Sequence, residues 1–317
     1  MRRRSQLSEL NERQPLIGII IVVTIIISAL ILIVSKIYLD GNDQPTTPSP
    51  SMTFQSDNFP TIQLGHYAIW GRKDDNSMVF IKRFNSIDNQ LKNLDGSDLT
   101  ELYMEGLDEI QNIFVTIESE GDRDETPNNF VLMDSEIVQN RAELIFGLDV
   151  PENESYFILA TPTDGNSTIN EISGIWFKDE IDELPGLKLP NSPQKFKYEA
   201  RIINPVVDKT LYLGRFDNVK EEDNSKIYSL SSEGFKFPGE DLLRNLPEPL
   251  EAPLNLANGN YQIIVSLEPD SDGFDITGED VFLRLLSLEI PQNSEELQNI
   301  PMNKDYKPIQ LTIELYD

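Results

Sequence analysis

Three patterns of hydrophobic and polar positions divide the chain. The first is an apolar run from Leu16 to Val34, LIGIIIVVTIIISALILIV, broken only by Gly18, Thr24 and Ser28. At about 1.5 Å per residue in a helix, such a run spans roughly 28 Å, the thickness of a bilayer's hydrocarbon core. Its β-branched residues are poor helix formers in water, but in lipid the backbone must bond to itself, so a transmembrane helix is expected at 16–34. A cleaved signal peptide has a shorter apolar region and a small-x-small site. Here the run passes into Ser35-Lys36-Ile37-Tyr38-Leu39 with no such site, which predicts an uncleaved anchor. Arg2, Arg3, Arg4 and Arg13 precede it and only Lys36 closely follows. The positive-inside rule therefore makes residues 1–15 a cytoplasmic tail and puts everything after Val34 on the extracytoplasmic side of the cell membrane.

The second pattern, over residues 35–60, has Pro45, Pro48, Pro50 and Pro60 among Thr, Ser, Asn and Asp. That composition predicts a flexible linker without regular structure. From Thr61 onward the third pattern is period-2 alternation. Tyr261, Ile263, Val265 and Leu267 fall on one face of a strand, and Ile113, Val115 and Ile117 do so earlier in the chain. Helix is scarce: Asp98 to Gln111 predicts one short helix, weakened by Gly106, and Phe237 to Leu243 a single turn. Short strands punctuated by Gly, Pro, Asn and Asp point to an all-β ectodomain of antiparallel sandwiches.

The strands repeat. Val79–Asn85 parallels Leu211–Asp217, sharing Arg-Phe and then a short amide or acid. Tyr67 lies upstream of Phe84 much as Tyr198 lies upstream of Phe216, Glu118 aligns with Glu268, and Val131–Ile137 parallels Arg284–Ile290. Two copies are too few for a solenoid. The expected architecture is two tandem antiparallel β-sandwich domains, 61–165 and 166–317, following one N-terminal transmembrane helix. Superposition of the halves should pair Tyr67 with Tyr198, Phe84 with Phe216 and Glu118 with Glu268.

Composition narrows the chemistry. The 317 residues carry 54 Asp and Glu against 26 Lys and Arg, a net charge of -28. A nucleic-acid partner needs a basic face, so none is expected. Without cysteine there are no disulfides, thiolate metal sites or cysteine nucleophiles, and the single histidine, His66, leaves little for a serine–histidine triad. An acidic ectodomain is repelled by anionic headgroups and is expected to stand off the membrane.

The series Gly65-His66-Tyr67-Ala68-Ile69-Trp70, Arg83-Phe84-Asn85 and Val115-Thr116-Ile117-Glu118 resembles the extracytoplasmic C-terminal domain of anti-sigma-K factors. Thr161–Gly165, Gly174–Phe177, Leu187–Pro190 and Pro238–Asp241 are similar to prokaryotic surface proteins labelled anti-sigma factors. The resemblance covers roughly residues 61–290 and implies a β-rich outer domain, here duplicated. An anti-sigma factor also needs a cytoplasmic domain that grips the sigma factor, commonly with a zinc motif. The short tail here has neither Cys nor His, so the zinc anti-sigma domain is absent and the regulatory activity does not transfer with the fold.

Acidic turns after each Glu strand are the main site candidates. They are Glu118, Glu120, Asp122 and Asp124 in one copy and Glu268, Asp270, Asp272 and Asp275 in the other. Asp270, Asp272 and Asp275 are weak calcium ligand candidates because calcium favours clustered oxygens, although their spacing does not fit an EF-hand. The alternative is a solvated hairpin loop. Carboxylate pairs could serve glycoside hydrolysis, but with so many acids, chance pairs are certain. His66 reads as a surface or sheet residue. Trp70 and Trp176 read as core plugs before sugar-stacking platforms. Asn153 and Asn166 begin glycosylation sequons. No catalytic residue and no cofactor are expected. The leading expectation is a non-enzymatic, membrane-anchored interaction module with an unknown envelope or surface protein as partner. The alternatives are an anti-sigma-type transmembrane regulator acting with a separate cytoplasmic partner, and a carbohydrate-active enzyme.

This topology has a direct check. Protease added to intact cells should digest residues 61–317 and leave a short anchor fragment; full protection of the C-terminus would overturn the orientation.

Overall fold

Alternating side chains and left-handed turns account for most of the local structure. A computed structural model describes residues 50–165, 167, 169–270 and 280–316. The first strands are β1 (Ser51–Asp57), β2 (Gly65–Lys73), β3 (Met78–Ile87), β4 (Gln90–Asn93), β5 (Glu101–Tyr103), β6 (Ile110–Ser119), β7 (Val131–Glu136) and β8 (Arg141–Phe146). They are followed by β9 (Tyr156–Leu159), β10 (Gly174–Trp176), β11 (Phe196–Asn204), β12 (Lys209–Phe216), β13 (Gly239–Asp241) and β14 (Gln262–Pro269). The last are β15 (Leu283–Glu289), β16 (Ile300–Pro301), β17 (Asn303–Lys304) and β18 (Ile309–Tyr316). The β3–β4 hairpin turns at Asp88-Asn89, with φ of 52° and 62°, and Gln139-Asn140, with 53° and 61°, turns the chain into β8. Two successive positive φ values match a turn's twist to that of its strands.

The strands form four antiparallel sheets, ordered β5-β1-β18-β8, β4-β3-β2-β6-β7, β13-β10-β9-β16 and β12-β11-β14-β15-β17. Buried side chains from all four join one hydrophobic cluster that includes Phe54, Tyr67, Phe84, Phe157, Tyr198, Leu267 and Ile313. The described region is thus all-β. None of its helices is long and apolar enough to cross a membrane; the tail 1–15 and the apolar segment 16–34 lie outside the described residues.

The two five-stranded sheets share their registers. Tyr67 faces Phe84 and Ile117, while Tyr198 faces Phe216 and Leu267. His66 faces Glu118 as Lys197 faces Glu268. Even the irregularities coincide: β2 slips against β3 after Ile69 and β11 against β12 after Ala200. β6 slips against β7 after Val115 and β14 against β15 after Val265. Tyr67 Oη donates to Pro60 O at 3.0 Å, and Tyr198 Oη to Pro190 O at 2.9 Å. Each phenol ties its strand to the segment entering it, satisfying a hydroxyl that burial would otherwise leave unpaired.

Four expectations need correction. Within the 35–60 linker, Ser51–Asp57 is strand β1, because Met52 and Phe54 alternate onto the core while the backbone pairs with β18 and β5. Asp98–Gln111 is not a helix. Gly106 adopts φ 76°, a single 3-10 turn follows at Leu107–Glu109, and β5 takes its ladder bonds from β1. Phe237–Leu243 is not a helical turn but contains β13, paired with β10. The division at residue 165 is also crossed: β18 lies between β1 and β8, and β9 pairs with β10 and β16.

Ile313 is fully buried at the middle of β18. Ile313→Ala should cost about 2–5 kcal/mol in urea unfolding through the cavity it opens. An unchanged midpoint would show that β18 is not integral to the core.

Candidate functional site

Central strands of the five-stranded sheets are buried on both faces, so their outward-facing positions form a second, smaller interior. In the first sheet that face holds Ala68, Trp70 and Phe114, with Phe80 packed on them. Trp70 meets Phe80 edge-on at 5.3 Å and stacks with Phe114 at 6.5 Å. Its Nε1 donates to Thr116 Oγ1 at 2.8 Å, and that hydroxyl donates to Glu118. The guanidinium groups of Arg72 and Arg83 lie over Phe114 and Phe80. The face is sealed, and Trp70 is a plug, buried to 1% exposure.

The same register positions in the second sheet carry different chemistry. Glu199 stands where the first sheet has Ala68, Arg201 where it has Trp70, and Tyr212 where it has Phe80; Arg215 matches Arg83. Arg201 Nε donates to Glu199 Oε1, its Nη2 lies 3.4 Å from Glu268 Oε1, and its guanidinium covers the Tyr212 ring at 4.9 Å. Arg215 Nε reaches Glu199 Oε2 at 2.6 Å. Glu268 accepts from Ser266 Oγ at 2.5 Å and from Phe282 N at 3.2 Å. With Arg201 and Glu268 at 2% and 0% side-chain exposure, removing one partner would strand a buried charge, at a cost of about 3–5 kcal/mol.

This face is open. A cleft of about 600 Å³ is lined by Glu199, Arg201, Tyr212 and Arg215 on the sheet and by the segment Asn224–Tyr228 opposite. β4 flanks β3 in the first sheet, whereas β12 is the edge of the second. After Phe216 the chain instead forms the wall of the cleft. Two buried carboxylates pin that wall. Asp223 accepts from Ser225 N at 2.8 Å and Gly239 N at 2.7 Å. Gly214, at φ 129°, makes room, since a Cβ there would lie 2.4 Å from Asp223 Oδ1. Glu240 accepts from Tyr228 N at 2.5 Å, Ser229 N at 3.2 Å and Ser225 Oγ at 3.0 Å. Trp176, the other plug, donates to Asp241 Oδ1 at 2.8 Å, and Asp241 Oδ2 accepts from Thr163 N at 2.8 Å.

Burial disfavours the charged form of these acids. It pushes Asp223 up to about 6, and Glu240 and Glu268 up to about 7, although neighbouring donors and, for Glu268, Arg201 oppose the rise. His66 moves the other way, down to about 4, through burial and the nearby Arg123 and Arg83. It is therefore a neutral, buried imidazole and not a surface residue; its Nε2 and the Glu118 Oε2 across the ladder make no hydrogen bond.

The sequence candidates are scattered. Glu118 and Glu268 sit inside their strands, withdrawn from the turns where calcium ligation placed them. Asp270 is exposed and ion-paired to Lys197 at 3.3 Å; Asp272 and Asp275 lie outside the described residues. No group of three metal-ligating side chains occurs among the described residues. Asn153 is exposed at φ 56°, whereas its sequon partner Ser155 is buried, accepting from Lys188 N at 3.0 Å. Asn166 lies outside the described residues. The cleft residues were not candidates. The clue to them was Ala68 and Trp70 becoming Glu199 and Arg201 at aligned positions. No protein-family model, curated protein or solved structure matches the chain.

Glu240 supplies a pH test. Its raised value means that the folded protein keeps a proton which the unfolded chain, near 4.5, has lost. That contribution to stability is whole below about pH 4.5 and disappears as pH rises through 7. Asp223 and Glu268 act in the same direction. Urea midpoints of the native protein should thus fall between pH 5 and 8, and Glu240→Gln should flatten the fall. An undiminished slope in that variant would mean Glu240 is ionised throughout.

Proposed function

We propose that the chain is a non-enzymatic, membrane-anchored interaction module whose ectodomain binds a component of the cell envelope or surface through the outer face of its second five-stranded sheet. One observation carries this reading. Two sheets that share strand register to the residue treat their outer faces oppositely, one sealed by Trp70, Phe80 and Phe114, the other opened as a charged cleft. A purely structural repeat has no need to exchange a tryptophan for a buried arginine, which must be satisfied by two carboxylates. We read the fold as two β-sandwiches in tandem, the first completed by the returning strand β18. The apolar run 16–34 supplies the anchor and the arginine-rich tail the orientation. With β1 beginning at Ser51, the tether shortens to residues 35–50.

A photo-crosslinking residue at Ile227, which is 53% exposed beside the cleft, should capture a specific envelope component on intact cells. The same probe at Ile145, 58% exposed on β8, should not. Equal adducts from both positions, or none from Ile227, would overturn the assignment of the face. Co-purification of a sigma factor through a membrane partner would favour the regulator instead.

A further inference from the structure

An Asn-Gly step occurs once in the 317 residues, at Asn258-Gly259. It closes the 3-10 turn Leu256–Asn258, shortly before β14, and Asn258, Gly259 and Asn260 are all exposed. Gly259 sits in the left-handed region at φ 82° and ψ 10°. The nearest atoms to a Cβ built there would all belong to Gln292, at 3.4 Å or more, and glycine brings no side chain of its own to shield its nitrogen. Asn258 Oδ1 accepts from Asn260 N at 2.9 Å. To span that bond the side chain curls over the intervening peptide, which brings Cγ toward Gly259 N. The same N–H is aimed at the oxygen that gains negative charge when Cγ is attacked, the arrangement that stabilises an oxyanion. The turn is pinned on either side: Asn293 N donates to Ala257 O at 2.9 Å and Ile290 N to Tyr261 O at 2.8 Å. Nucleophile, carbonyl and donor are thus held together by the fold, which turns a chance encounter into a positioned intramolecular step.

We propose that Asn258 is a site of spontaneous modification, its carboxamide converted in the folded protein to an aspartyl or isoaspartyl carboxylate with help from Asn260 N. Gly259 N gives up its proton to solvent hydroxide and attacks Asn258 Cγ, forming a C–N bond. The Cγ–Nδ2 bond then breaks, and the nitrogen leaves as ammonia after taking a proton from water. The five-membered succinimide that results takes up one water at either carbonyl and opens to aspartate or to isoaspartate. Either product adds one negative charge to a chain already at -28 and sets it near the Tyr261 hydroxyl, which the Asn258 side chain adjoins. Isoaspartate also lengthens the backbone by one carbon just before β14.

Timed incubation of the full-length protein in detergent, followed by digestion and mass spectrometry, tests this, with isoaspartate scored by its enzymatic methylation. The peptide that contains Asn258 should gain the mass difference between an amide and an acid. Its rate should rise about tenfold per pH unit around neutrality, following the deprotonated fraction of the attacking nitrogen. It should also exceed the rate of the same residue in the chain kept in urea, where Asn260 N no longer faces Oδ1. Asn258→Gln, whose longer side chain would have to close a six-membered ring, should stay unconverted. Asn260→Pro, which removes the N–H, should slow the native reaction about tenfold, less than the loss of a donor in a water-excluded site. A native chain that stays unconverted, or that converts more slowly than the chain in urea, would overturn the proposal. So would an undiminished rate in a folded Asn260→Pro variant. If that variant does not fold, the comparison of native chain with urea decides.

Discussion

Glu268 lies inside the protein because strand β14 is covered on both faces, and the organisation of the second sheet follows from that confinement. A buried carboxyl must be answered locally, here by Ser266, by Phe282 N and by Arg201. Arg201, equally buried, then requires Glu199, and Glu199 in turn orients Arg215 at the rim. Each link removes a desolvation penalty created by the one before it. In the first sheet the chain of demands is shorter. Thr116 accepts from Trp70 and donates to one oxygen of Glu118, so the rest of that face can be hydrocarbon, and it closes.

The contrast gives the repeat a division of labour. Inner faces are held to common registers, common slips and paired tyrosine ties, because they build the shared core. Outer faces are free to differ. The difference is reinforced by the connection after the Arg-Phe strand. In the first half it is a two-residue turn into β4, and in the second a segment folded across the sheet and fastened by Asp223 and Glu240.

Inner faces were legible from sequence because alternation of large apolar residues reports one buried side directly, and because Arg-Phe-Asn and Arg-Phe-Asp mark the same turn. Tyr67, Phe84, Tyr198 and Phe216 were placed on that basis. Period-2 reading does not reveal whether the opposite side is also covered. Glu118 and Glu268 therefore looked like residues of acidic turns, and His66 like a surface or sheet residue, when all three are interior positions of strands. Strand β1 escaped for another reason. Met52 and Phe54 alternate correctly, but the pairing that makes them a strand comes from β18 at the far end of the chain, beyond the reach of local composition. The cleft needed both kinds of information, since its wall is a loop whose position depends on buried acids contributed by distant segments.

The placement of β18 also bears on the order in which the sheets can form. β1 and β8 both take their ladder partner from a strand that follows the whole second five-stranded sheet in sequence. Until β18 docks, each waits with an unpaired edge, the condition under which strands pair with foreign chains. The first sheet therefore cannot close by local folding, however well the strands between fold. Its closure is the long-range step, a loop closed over most of the described residues.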